Sequence, residues 1–214
     1  MYIGVGGSIG SGKSMVYSEY LSYKGYKEVE LAYPMKKFLA DWYRQDISIF
    51  YDRDCKESNS FRFLVSEELV NAISKDVYDN ENHLTDLKPF YKERFTFKSA
   101  RELLQGVGTD ILRLRDPGIH LWWSLRGLPV TGKEKYYFQA LRFQNEIDFV
   151  KSYNGITIFL NRDSGLASIG KNHKSEKSVY GENFNFVLEN NSSKEELFEK
   201  MDVLLGQVGY QIMQ

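Results

Sequence analysis

The chain has 214 residues, 42% of them apolar and 15% aromatic, with 28 basic against 29 acidic side chains. That is enough apolar material for one good core, and the even charge leaves no basic surplus for a long DNA or RNA backbone. Cys55 is the only cysteine, which excludes an internal disulfide and a cysteine-built zinc site; with no apolar run of the roughly 20 residues that cross a bilayer and no charged leader, the expectation is a cytoplasmic protein away from membranes.

A first strand is expected over residues 2–6, and it runs into Gly6-Gly-Ser-Ile-Gly-Ser-Gly-Lys-Ser14 before a helix over about 13–23. The spacing Gly7-x-x-x-x-Gly12-Lys13-Ser14 is that of a P-loop. Its glycines supply positive φ and let the backbone approach a phosphate chain, and the following helix offers free N–H groups and the positive end of its dipole. Gly7, Ser8, Ile9, Gly10, Ser11, Gly12, Lys13 and Ser14 are therefore the expected triphosphate cradle. Lys13 would face the β- and γ-phosphates and Ser14 would ligate Mg²⁺. Alternatively, the stretch is a glycine turn that binds nothing.

A second strand, Val29–Ala32, leads to Tyr33-Pro-Met-Lys-Lys37 and a helix over 35–45. Ligands of open α/β sheets gather at the carboxyl ends of strands, so Lys36 is a candidate for an anionic acceptor, with a solvated lysine pair as the alternative. Helices are expected over 63–78, 99–114 and 120–127. In the middle one, Leu103, Leu104, Val107, Ile111, Leu112 and Leu114 keep helical spacing, while Arg101, Gln105, Thr109, Asp110 and Arg113 form a polar surplus. Gly106 and Gly108 weaken that helix, which suggests either close approach of a ligand or tight packing. Trp122-Trp123 reads as core rather than as a stacking platform. Residues 76–97 suit a mobile insertion or a dimer contact.

Strands over Tyr136–Leu141, Ile156–Asn161 and Phe184–Glu189, with helices over 143–153 and 194–207, complete the alternation. The last helix opens with capping-box spacing at Ser193-Lys-Glu-Glu196. No linker or repeat interrupts the chain. The reading is an α/β protein with three layers around a mainly parallel five-stranded sheet. The strand ending Gln139-Ala140-Leu141 lacks the acidic residue that usually supports Mg²⁺ at this place. His83, His120 and His173 are too scattered for a metal cluster.

GGSIGSGKS, AYPMK, ARELLQGVGTDILR, LRFQNE and HKSE, in that order over about residues 1–205, resemble the bacteriophage-type deoxynucleoside monophosphate kinases. The resemblance implies a single P-loop kinase domain with a core of about 1–45 and 136–214. A helical substrate-binding insertion would span about 46–130 and a lid about 162–182. It implies transfer of the ATP γ-phosphoryl group to a deoxynucleoside 5′-monophosphate. Lys13, Arg142 and Arg162 would stabilise the transferring group. Lys36, Arg101 and Arg142 would grip the acceptor phosphate, with Gln105, Thr109 and Asp110 near its base or sugar. Lys171, His173, Lys174 and Lys177 would line the lid, unless they are simply solvated. The family favours an Asp where Ala140 and Tyr33 stand. Mg²⁺ would then rest on Ser14, phosphates and water, or on Asp110 or Glu146, or the enzyme would be impaired. A kinase of another small metabolite, such as dephospho-coenzyme A, and a nucleotide-binding protein without turnover are the alternatives. A homodimer is compatible with the sequence.

Overall fold

A computed structural model describes residues 1–78, 95–163 and 180–212. The chain divides into two compact units, Met1–Glu30 with Leu128–Gln214, and Leu31–Gly127.

The first unit is built on five strands, β1 (Tyr2–Gly7), β2 (Lys27–Glu30), β5 (Tyr136–Gln139), β6 (Ile156–Asn161) and β7 (Phe186–Glu189). They lie in the order β2-β5-β1-β6-β7 and every pairing is parallel. The central strand β1 is buried on both faces, which is why it reads as an unbroken apolar and glycine run rather than as an alternation. Ile3 and Val5 point to one face, where Val16 of α1 (Lys13–Val16) and Leu197 and Met201 of α8 (Lys194–Ile212) cover them. The opposite face carries α7 (Gln144–Ser152), whose Val150 and the neighbouring Leu141 press on Gly4. Helices on both faces of a parallel sheet are the expected three layers. The chain leaves β1 toward β5 and β2 on one side and lies beside β6 and β7 on the other, so β1 stands where the strand order reverses, the usual binding edge of such sheets.

Helix α1 is one α turn that continues as a π-helical turn over Tyr17–Leu21 and a 3₁₀ turn over Ser22–Lys24, ending at Gly25 with φ +79°. The second strand lies two residues earlier than expected, because Ala32 already caps the next helix. The capping box of α8 is half formed: the Glu196 N–H donates to Ser193 Oγ at 3.2 Å.

The second unit is helical, with α2 (Tyr33–Tyr43), α3 (Arg53–Glu57), α4 (Glu67–Tyr78), α5 (Ala100–Gln105) and α6 (Ile119–Leu125), and a two-stranded antiparallel piece, β3 (Phe63–Val65) with β4 (Phe95–Phe97). Met35 and Leu39 of α2 pack with Leu69, Ile73, Leu103 and Trp123, so α2 joins this unit's core. The helix expected over 63–78 is corrected at its start. Residues 63–65 extend into β3, and Ser66 opens the helix, its Oγ accepting from the Leu69 N–H at 3.4 Å. The helix expected over 99–114 is α only to Gln105 and winds as a π-helix over Gly106–Arg113. Ser99 caps it through Glu102 N–H at 3.1 Å. Trp123 is core, with its indole N–H on Asp76 at 2.7 Å, whereas Trp122 is 56% exposed, so the pair is only half buried.

Candidate active site

The loop between β1 and α1 turns on three left-handed glycines, Gly7 (φ +138°), Gly10 (φ +80°) and Gly12 (φ +98°). A Cβ on Gly7 would stand 2.5 Å from the Leu160 carbonyl oxygen and 2.7 Å from Ser11 Oγ, and one on Gly12 would stand 2.7 Å from Asn190 Nδ2. Both positions therefore demand glycine by conformation and by space. Gly12 occupies the cap of α1 without a side-chain acceptor, so the first N–H groups of the helix are not claimed by a capping side chain. A loop of this shape with uncapped N–H groups fits a phosphate chain.

Lys13 folds back over the loop. Its ammonium donates to the carbonyls of Gly7 (2.9 Å) and Ser8 (2.7 Å) and, at 3.3 Å, to Ser11 Oγ. The cation is thus already held at the cradle. Ser11 is fully buried, and its carbonyl accepts from Asn190 Nδ2 at 2.8 Å. Asn190 follows β7 directly and is itself buried. Tyr137 of β5 donates its hydroxyl to the Lys13 carbonyl at 2.8 Å and stacks on Tyr17 at 5.4 Å with the rings 3° from parallel. Burial raises its phenol far above the ordinary range, so it stays a neutral donor. Ser14 is exposed, and its Oγ accepts from Gln139 Nε2 at 2.9 Å. Glu30 on β2 is in register with Gln139.

Sequence reasoning missed Asn190, Tyr137 and Gln139 as loop supports. Tyr137 and Gln139 lie on β5 beside β1 and Asn190 follows β7, one strand further out on the other side; the rule that ligands gather at carboxyl ends could have flagged Asn190 and Gln139. Glu146, considered as a substitute metal ligand, is 2% exposed; its Oε2 accepts from the N–H groups of Arg142 (2.7 Å) and Phe143 (3.2 Å), so it caps α7. Arg142 is half-buried just before that helix, and Arg162 is exposed just past β6. The expected lid over 162–182, with Lys171, His173, Lys174 and Lys177, falls largely on 164–179, outside the described residues.

The acceptor candidates belong to the second unit. Lys36 is 8% exposed, with its ammonium 3.8 Å above the Tyr51 ring centroid. Lys37 instead pairs with Asp41 at 2.9 Å on the surface, so the lysine pair divides into one buried and one solvated member. Arg101 is ion-paired with Glu57. Gln105 ends α5, and Thr109 (half-buried) and Asp110 (exposed) lie in the π-helical stretch. A Cβ on Gly106 would stand 2.1 Å from Phe97 Cζ, and one on Gly108 3.0 Å from Met35 Cε. These two glycines are explained by packing. No cluster of three or more His, Cys, Asp or Glu side chains suited to a metal occurs among the described residues, and no helix among them is long and apolar enough to cross a membrane.

A parallel sheet covered on both faces, with a lysine-bearing glycine loop at the end of its central strand, is an α/β fold consistent with the P-loop NTPases. No family model matches the chain. It is 30% identical, over 93% of its own length and 93% of the other protein's, to the "Putative deoxynucleotide monophosphate kinase" of Acanthamoeba polyphaga mimivirus. The chain belongs to that deoxynucleotide monophosphate kinase family, a relationship that supports a nucleotide kinase. A solved structure, TT1252 from Thermus thermophilus, matches with a TM-score of 0.45 and 16% identity over 97% of each chain, too loose a likeness to carry an argument.

Proposed function

We propose that this protein transfers the γ-phosphoryl group of ATP to a deoxynucleoside 5′-monophosphate, giving the diphosphate. The observation that carries the reading is the loop Gly7–Ser14, with its left-handed glycines and its lysine held over the cradle, on a chain of this family. The N–H groups of the loop and of the first turn of α1 hold the triphosphate, and Asn190 and Tyr137 hold the loop. Bound at Ser14, Mg²⁺ would neutralise charge on the β- and γ-phosphates. Transfer passes through a loose transition state, so the protein's work is alignment and electrostatics. Lys13, Arg142 and Arg162 supply positive charge to the equatorial oxygens. Lys36 and Arg101, with Arg142, take the acceptor phosphate, and Gln105, Thr109 and Asp110 read its base or sugar. The acceptor is already an oxyanion, so the step requires no general base.

A coupled ADP-release assay tests this, with ATP and Mg²⁺ against dAMP, dGMP, dCMP, dTMP and 5-hydroxymethyl-dCMP, and with the ribonucleotides and dephospho-coenzyme A as controls. Turnover on one or more deoxynucleotides, reduced about 10³-fold in Lys13→Ala, is the expected outcome. Turnover only on dephospho-coenzyme A would move the assignment to that metabolite. The amide rather than carboxylate on Ser14 favours a second reading, nucleotide binding without turnover. Silence across the panel in a protein that binds ATP would select it.

A further inference from the structure

Resting on the reading of the glycine loop as an ATP and Mg²⁺ site, we infer that Gln139 is the positioning residue for the metal-ligating hydroxyl of Ser14, and that nucleotide binding here consequently gains little from Mg²⁺. In P-loop proteins a carboxylate from a neighbouring strand commonly serves the metal beside the loop serine. In this chain the neighbouring strand presents an amide to the serine. Gln139 ends β5, in register with Val5 of β1, and its Nε2 lies 2.9 Å from Ser14 Oγ.

The chemistry of the two partners differs. A serine hydroxyl has one hydrogen to donate and two lone pairs to offer. The Gln139 N–H occupies one lone pair, leaving the other for a cation and the O–H for a phosphate oxygen. A carboxylate can only accept, so it would take the O–H, free both lone pairs and add a negative charge beside the cation. Gln139 therefore fixes where the hydroxyl points without adding countercharge. Partners of this kind, one bond removed from a metal, change its affinity by about 10–100-fold. The site has forgone part of that gain.

The test uses the full chain and the β,γ-imido analogue of ATP, titrated calorimetrically once in EDTA and once in Mg²⁺. The readout is the ratio of the two dissociation constants, which a merely structural role would not move. Wild type is expected to show a ratio of about ten or less, and Gln139→Glu to raise it about tenfold. Gln139→Leu should lose the Mg²⁺ gain, its ratio falling toward one whatever its affinity in EDTA, and it carries the test alone should the Glu variant fail to fold. Equal ratios in wild type and both variants, or a lower ratio in Gln139→Glu, would overturn the inference while leaving the nucleotide site standing. A wild-type ratio of about a hundred or more would also overturn it. Failure of wild type to bind the analogue in either buffer would overturn the glycine-loop reading and this inference with it.

Discussion

In the loop between β1 and α1, Gly7, Gly10 and Gly12 have φ of +138°, +80° and +98°, whereas Gly106 in the second unit keeps a right-handed φ of −64°. The first group is glycine because the backbone turns left-handed, at Gly7 and Gly12 directly against polar partners. The second is glycine because Phe97 fills the space a side chain would take at Gly106, and Met35 and His120 fill it at Gly108. One residue type thus serves a phosphate-shaped loop in one unit and a core in the other. Backbone conformation separates the two uses, and composition does not.

Substitution breaks the comparison at either end. Gly12→Ala forces a left-handed alanine, at about 1–2 kcal/mol, and drives its Cβ toward Asn190, adding an overpacking cost of similar size. A total of about 3 kcal/mol is expected in urea unfolding, together with lost ATP affinity. Gly106→Ala should cost about 2 kcal/mol by crowding Phe97, offset in part by better helix propensity. Its ATP affinity should match wild type, and Phe97→Leu should recover part of the stability in a double-mutant cycle. Weaker ATP binding in Gly106→Ala would show that this glycine does more than make room.

The same contrast explains what could be read in advance. Gly7-x-x-x-x-Gly12-Lys13-Ser14 was legible because its spacing encodes a conformation, and the parallel sheet because its strands are short, apolar and separated by helices. The pairing of Phe63–Val65 with Phe95–Phe97 was not legible, because Phe63-Leu-Val merges into the apolar pattern of α4 and its partner lies about thirty residues away. The start signal at Ser66, followed by Glu67 and Glu68, was present and would have placed the helix correctly. Asn190 and Gln139 act on the loop from strands distant in sequence, and only the sheet order brings them to it. The π-helical winding after Gln105 was not legible either, because the apolar spacing of this stretch reads as an ordinary α-helix.

His120 offers a next, smaller test within the second unit. It is buried, its Nε2 lies 3.1 Å from the Gly108 carbonyl, and its Nδ1 has no partner among the described residues. Burial, reinforced by Arg113 and opposed by the Gly108 carbonyl and Asp116, lowers its pKa to about 4. The folded state therefore holds a neutral imidazole while the unfolded state takes up a proton below about pH 6.5. Protons favour the unfolded chain in that window, so stability falls as pH falls, by about 2 kcal/mol between pH 7 and pH 5. Urea unfolding at the two values should show this loss in wild type and a shallower dependence in His120→Leu. Equal slopes would mean that the ring is protonated in the fold.

Ala140 sharpens the comparison from the other side, because it adopts the glycine-loop type of backbone without being glycine. Its φ is +59°, immediately after Gln139, and the turn it makes returns the Leu141 N–H to the Val5 carbonyl at 3.0 Å. A left-handed alanine costs about 1–2 kcal/mol, while glycine in its place loses up to about 1 kcal/mol through the freedom of the unfolded chain, so Ala140→Gly should stabilise the protein by about 0.5–1 kcal/mol. Ala140→Asp should recover part of the same gain, since Asp tolerates this region better than Ala. The affinity for nucleotide in Mg²⁺ decides what the strain is for. If Ala140→Gly is more stable but binds less tightly in Mg²⁺ and equally in EDTA, the strained turn is what keeps Gln139 aimed at Ser14. If it gains stability with no change in either affinity, the strain is a by-product of closing β5 against β1, and Gln139 is held by its strand alone.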